Sequence, residues 1–329
     1  LTPDLLPAEI SEPEANAEHG SRRLQAVQVQ AIQATLERHG GNVSAAARTL
    51  GIDPDRVRVD TTNTSRIPNA SPTSASTGAD LNGMATKCAC EELSARLRKF
   101  AARHLGRGAP EDIAIRDGAV YLRGERTELG WETLVAAAQW ARTDLSSHAF
   151  YATPNLHLDP KTQQGRPFAY YSYGASLTSA LLDCRRGTYA IDAVDIVHDV
   201  GQSLNEAIDR GQVEGAVIQG IGWSTIEQLR YGPDGRLLTA VNSYKVPDIK
   251  FVPPHFAVTL LENSDNPFAV CNSKAVGEPP FIHGLGAYFA VLSALRAARS
   301  DRPVPSLPLT PEKAFMYLHG PDAGGGAQR

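Results

Sequence analysis

Cysteine is scarce in this 329-residue chain, long apolar runs are missing, and neither sign of charge dominates. Only four cysteines occur, and the single-residue spacing of Cys88 and Cys90 fits neither a zinc nor an iron–sulfur pattern. Reduced thiols of a cytoplasmic protein are therefore expected for Cys88, Cys90, Cys184 and Cys271. No apolar run approaches the roughly 20 residues that cross a bilayer, so no membrane association is expected. A net charge of −4 and a pI near 6.2 give no electrostatic footing for nucleic acid or an anionic membrane as the main partner. The opening LTPDLLPAEISEPEANAEHG is acidic and has no basic leader, which argues against a secretory signal. The first residue is Leu1 rather than methionine, as in a processed or incomplete product.

What is present describes a globular protein: 42% hydrophobic residues against 21% charged ones, in a chain long enough for two or three domains. Residues 1–21 are polar and rich in Pro and Glu, and read as disordered. Leu24, Val27, Ala31, Ile32 and Leu36 then recur at helical spacing, and Val43 to Leu50 reads as a second short helix ending at Gly51. Residues 22–52 thus form an expected helical hairpin, and 57–65 alternate as a strand would. Further helices are expected over 84–105, 131–142, 204–229 and from Ala287 to Ala298. Hairpins are expected at 121–129 and around Arg185-Arg186-Gly187, with a strand near Phe256 to Leu261. This mixture argues for an α+β fold of mixed or antiparallel sheets packed with helices. One folded region over 53–318 follows, with a subdomain boundary at about 160–170 and a flexible tail over 319–329.

Three stretches stand out. Asp60 to Gly83, DTTNTSRIPNASPTSASTGADLNG, is small and polar, with glycines that admit close backbone approach. On composition alone it reads as an exposed serine-rich loop. Asn205 to Gly222, NEAIDRGQVEGAVIQGIG, spends about 1 kcal/mol per glycine relative to Ala in a helix, so something requires close packing there. Gln219 lies among those glycines, able to donate and accept. SKAVGEPP places Glu278 between Gly277 and two prolines, where Pro279 is expected to push it into extended backbone and leave its carboxylate pointed.

Two resemblances follow. LERHGGNVSAAARTLGI, within residues 23–52, resembles the helix-turn-helix of bacterial enhancer-binding activators. A DNA-reading helix should come next, yet the chain continues DPDRVRVD; residues 1–52 also hold four Arg against six Asp and Glu, so nucleic acid is not an expected partner. From about residue 53 to 312, DTTNTSRIPNASPTSAS, YATPNL, DVGQSLNEAIDRGQVEGAVIQGIG, YKVPDI and SKAVGEPP resemble, in order, the C-terminal part of the molybdopterin-binding subunit of the xanthine dehydrogenase family.

That second resemblance implies oxidation of hypoxanthine or xanthine, with a water-derived hydroxyl transferred to a purine carbon and a hydride to molybdenum. It implies Glu278 as general base, Gln219 beside the cofactor, and Ala75, Ser76, Thr77 and Gly78 as the loop that wraps it. Molybdopterin, not protein ligands, would hold the metal. FAD and [2Fe-2S] clusters are expected in a partner domain or subunit, so a hetero-oligomer is implied. The family's glycine-rich cofactor loop, aromatic substrate clamp and purine-recognising arginine are not found here, so the chain alone is expected to bind cofactor poorly and to lack turnover. An aldehyde oxidase-like subunit, a DNA-binding regulator with an inactive enzyme-derived domain, and a non-catalytic assembly module stay open as alternatives.

Overall fold

The glycines, prolines and apolar spacings resolve into the expected α+β structure in a computed structural model that describes residues 41–60, 64–65, 73–262 and 264–321, with side chains described from residue 46. The expected disorder over 1–21, the first helix of the hairpin and most of the tail lie outside these residues. Two units result: among the described residues, one holds those from 41 to 65 together with 85–150, and the other those from 73 to 84 together with 151–321. The chain passes back into the second unit for the last time after Phe150.

In the first unit, α1 (Gly41–Leu50) ends where Gly51 turns left-handed, at φ 68°. The Gly51 carbonyl accepts from Gly118 N–H, and a Cβ on Gly51 would lie 2.0 Å from the Ile115 carbonyl oxygen, so no other residue fits. Helix α2 spans Gly78–Leu105, six residues longer at its start than its apolar pattern shows. Strands β1 (Ile113–Arg116), β2 (Ala119–Leu122) and β3 (Glu125–Gly130) form an antiparallel meander, followed by α3 (Trp131–Trp140). Leu97, Phe100 and Ala101 of α2 pack with Ile113, Val120, Leu129, Leu134 and Ala138 as one core. The strand expected over 57–65 is absent among the described residues: a 3₁₀ turn at Pro54–Arg56 leads into unpaired chain through 60. Val57 and Val59 alternate but have no neighbouring strand, and Val59 is exposed.

In the second unit, β4 (His157–Asp159) and β5 (Gln164–Arg166) form a short hairpin. β6 (Gly174–Asp183) pairs antiparallel with β7 (Thr188–His198), and β7 pairs parallel with β8 (His255–Leu260). Parallel pairing needs a long crossover, and α4 (Glu206–Thr225) supplies it. Asn205 caps α4, accepting from Ala207 and Ile208 N–H at 3.1 and 3.2 Å. Val213, Val217 and Ile221, four apart, form the helix stripe that covers Val194 and Ile196 of β7 and Val258 of β8. The glycines do not break the helix. At Gly220 an added Cβ would sit 2.3 Å from the Phe281 carbonyl oxygen, so backbone meets backbone there; at Gly211 and Gly215 the space is open.

Helix α5 (Leu285–Ala298) continues a 3₁₀ segment at Pro279–Gly284, and α6 (Pro311–His319) packs beside it. Together Pro279–Ala298 reach 20 residues of mean hydropathy 1.3, so one run does attain membrane-crossing length, against the sequence expectation. Its Ala287, Tyr288, Val291, Leu292 and Leu295 are buried in the protein's own core, as in the core helix of a globular fold.

Candidate functional site

The segment that ends in Glu278 is anchored at its beginning and open at its end. Ser273 bridges Gly201, and Asn266 Nδ2 donates to the Ser273 carbonyl at 2.8 Å. Lys274 Nζ is buried in an ion pair with Asp199 and also donates to the Tyr171 carbonyl at 3.0 Å. Burial alone would raise the Asp199 carboxyl; hydrogen bonds from Lys274, Ser264 and the Gly201 N–H outweigh it and hold the group below the usual carboxylate range. Next along, Ala275 N–H donates to Tyr170 Oη at 2.9 Å, and Tyr170 donates its hydroxyl proton to Asp80 Oδ2. Burial pushes the Asp80 carboxyl up, with the Tyr170 bond opposing. Burial and then the neighbouring Asp80 push the Tyr170 phenol up. One phenol thereby joins the first turn of α2 to the segment that leads to Glu278.

Ala75 and Ser76 form the other wall. Both have positive φ, 52° and 55°, and Thr77 N–H closes on the Ser74 carbonyl at 3.3 Å, so this is a tight turn of the kind that usually takes Gly or Asn. Left-handed backbone costs an ordinary residue about 1–2 kcal/mol. Such strain persists only where surroundings impose it, and it gathers at functional sites. A second consecutive pair, Cys271 (53°) and Asn272 (60°), sits just before Ser273. Gly78 then opens α2, whose first N–H groups lack intrahelical acceptors.

The two walls meet at Gly277. A Cβ there would lie 2.6 Å from Ser76 Oγ and 3.2 Å from Gln212 Oε1, so two polar side chains converge on a bare Cα. The resemblance implies Gln219 beside the cofactor. The side chain that approaches Gly277 is Gln212; both glutamines are exposed, and Gln219 enters none of the hydrogen bonds among the described residues. The two glutamines lie seven residues apart, nearly two turns, on the same face of α4, so periodicity could not choose between them. Asp80, Tyr170, Asp199 and Lys274 were also missed. An acidic residue in a helix's first turn and a lysine before an extended segment are too common to stand out.

Glu278 itself is exposed, adjacent to Gly277 and therefore beside both the strained turn and α4. No hydrogen bond among the described residues holds its carboxylate. Its backbone is helical, φ −96° and ψ −41°, not extended as Pro279 predicted. Glu278 begins the 3₁₀ segment, its carbonyl accepting from Phe281 N–H at 3.1 Å, and that continuing structure outweighs the steric bias of the proline. Beneath this region His198 Nδ1 and His283 Nε2 lie 3.1 Å apart, both buried, with Gly174 leaving room for the rings. Burial and then His283 depress His198 to about 4.

An anionic, hydrogen-bonding ligand would meet a helix N-terminus, with Ser76 and Gln212 as neutral polar groups and a glycine gap between them. Among the described residues no group of three or more His, Cys, Asp or Glu is placed to hold a metal ion, so a metal would have to arrive on its own ligand.

Residues 39–253 match the family described as "Molybdopterin cofactor-binding domain". The match takes in α1 and so begins ahead of the helix-turn-helix-like boundary at residue 52. Xanthine dehydrogenase of Drosophila pseudoobscura pseudoobscura is 39% identical over 262 residues, 79% of this chain and 18% of that protein. Xanthine dehydrogenase/oxidase of Mus musculus is 39% identical over 264 residues, 80% and 18% of the two chains. Quinoline 2-oxidoreductase from Pseudomonas putida 86 superposes with a TM-score of 0.71 at 24% identity, over 85% of this chain and 35% of that one, which speaks to fold. The chain spans about a fifth of the length of the curated relatives it matches.

Proposed function

The chain belongs to the molybdopterin cofactor-binding domain family of xanthine dehydrogenase type, and on that premise we propose that it forms the C-terminal cofactor-holding part of a molybdenum hydroxylase acting on purines. The observation that carries this reading is the convergence of Ser76 and Gln212 on Gly277, one residue before Glu278. The N–H groups of the Ala75–Gly78 turn would hold the cofactor's anionic groups, and Gln212 would orient it through its side-chain amide. Molybdopterin, when bound, supplies the two-electron redox chemistry. Glu278 accepts the proton from the water-derived oxygen that is transferred to the substrate carbon, a general-base role worth about 10² to 10⁴ in rate. The exposure of Glu278 calls for a covering wall, which we assign to the rest of the cofactor-binding region, with an iron–sulfur and FAD partner carrying electrons away. A cytoplasmic location and hetero-oligomeric assembly accompany this reading.

Purified alone, the chain should hold well under one equivalent of molybdenum and show no xanthine turnover. Assembled with the remainder of such an enzyme, Glu278→Gln should lower turnover by about 10² or more while molybdenum content stays at the parent level. Undiminished turnover in that variant refutes the assignment of the base. Absence of molybdenum from the assembled parent refutes the reading as a whole.

A further inference from the structure

Within the second unit a closed circuit of contacts ties the strained turn to the backbone that leads to Glu278. The Ala75–Ser76 turn runs into α2, whose first turn carries Asp80. Tyr170 donates its hydroxyl proton to Asp80 Oδ2 and accepts from Ala275 N–H at 2.9 Å. Two residues on, Gly277 lies so near the turn that a Cβ would sit 2.6 Å from Ser76 Oγ, which closes the circuit. Chain continuity and steric fit supply the other links; the hydrogen-bonded one is a single side chain, Tyr170. Asp80 serves that link at a cost. An acidic residue in a helix's first turn ordinarily accepts from the helix's own free N–H groups, where the macrodipole favours it. Asp80 does otherwise: it is only 6% exposed, its Oδ2 takes the Tyr170 proton, and its Oδ1 has no hydrogen-bond partner. Buried polar groups left this way call for an explanation.

The explanation lies in what the carboxylate does to the phenol. With its proton committed to Asp80, Tyr170 Oη has its lone pairs turned to one use, accepting from Ala275. We propose that Tyr170 is a positioning residue: oriented by Asp80, it sets the spacing between the Ala75–Gly78 turn and the Gly277–Glu278 backbone. This rests on the reading above, in which the turn holds the cofactor and Glu278 takes the proton. Tyr170 acts through Ala275 and touches no reacting atom. Its leverage is geometric, since a base displaced by about 1 Å can lose on the order of 10² in rate.

In the assembled enzyme, Tyr170→Phe should lower kcat per bound molybdenum by about tenfold or more, with KM within about twofold of the parent. A role in stability alone would reduce the amount of loaded enzyme and leave kcat per molybdenum unchanged. Asp80→Asn keeps an oxygen that accepts from Tyr170 and should stay within about threefold of the parent, whereas Asp80→Ala should fall as Tyr170→Phe does. A second readout needs no cofactor. In the full chain, Tyr170→Phe should speed hydrogen exchange at the Thr77 and Leu81 amides, which bond to the Ser74 and Thr77 carbonyls across the circuit, by a larger factor than at Val194 and Ile196 of β7. The proposal is overturned by a Tyr170→Phe enzyme whose kcat per molybdenum stays within about twofold of the parent. An Asp80→Ala enzyme no worse than Asp80→Asn overturns it too, as does exchange that quickens at Ala275 but not at Thr77 and Leu81. If the assembled parent holds no molybdenum, the functional reading fails, and exchange in the full chain alone decides whether Tyr170 couples the turn to the Glu278 segment.

Discussion

Lys274 and Glu278 lie four residues apart in one segment and occupy opposite environments. Lys274 is buried against an equally buried Asp199 and held by the Tyr171 carbonyl, while the Glu278 side chain is exposed and unheld. Between them, Ala275 is tied to Tyr170 and Gly277 abuts Ser76 and Gln212. Stiffness and exposure thus fall to different residues: the first half of the segment is fixed by buried polar bonds, and the second half presents a carboxylate without bonds of its own. The prolines after Glu278 start a helix more than they aim a side chain.

Replacing Lys274 is the hardest test of this contrast. Lys274→Met leaves Asp199 buried without its counter-charge and should cost about 3–5 kcal/mol in urea unfolding. A loss below about 1 kcal/mol would place the pair on the periphery. The buried histidines give the next largest effect. Because His198 is depressed to about 4 in the fold and an unfolded His titrates near 6.5, the unfolded state binds the extra proton between those values. Stability should therefore fall by an amount on the order of 3 kcal/mol as pH drops from about 6.5 to about 4. His198→Met gives up the Nδ1 contact with His283 Nε2 but no bond at Nε2, and should flatten that window at some cost in baseline stability. Asp199 acts lower: its contribution is complete above the ordinary Asp value and is lost only as pH falls through its depressed one.

Smaller effects sharpen the boundary between the two halves. Tyr170→Phe removes one bond to Asp80 and one from Ala275, and should cost about 1–3 kcal/mol. Hydrogen exchange at the Ala275 amide should accelerate with it. Glu278→Gln should change stability by no more than about 0.5 kcal/mol, because no internal bond is lost. A clearly destabilised Glu278→Gln would mean that the carboxylate supports the fold, and the division of labour proposed here would fail.

Much of the scaffold could be read from residue patterns. The β6–β7 hairpin announces itself through dense β-branched residues about Arg185-Arg186-Gly187, and α5 through its apolar run. Residues 57–60 show why alternation is insufficient: a strand also needs a partner, and Val57 and Val59 find none. The strained turn at Ala75–Ser76 lay inside the stretch singled out for small residues, but its left-handed backbone could not be foreseen from Ala and Ser, which rarely adopt it. Gln212 escaped for a geometric reason, since helical periodicity makes it equivalent to Gln219 and only the fold places one of them against Gly277. The Asp199–Lys274 pair joins residues 75 apart in the chain, a distance across which local patterns carry no information.

The parallel pairing of β7 with β8 also has a kinetic consequence. Residues 199–254, α4 included, form one closed excursion between those strands. Non-local closure of this kind pays its entropy before contacts reward it and is intrinsically slow. Gln212 rides on that excursion while Gly277 follows it, so their meeting requires the excursion to be closed.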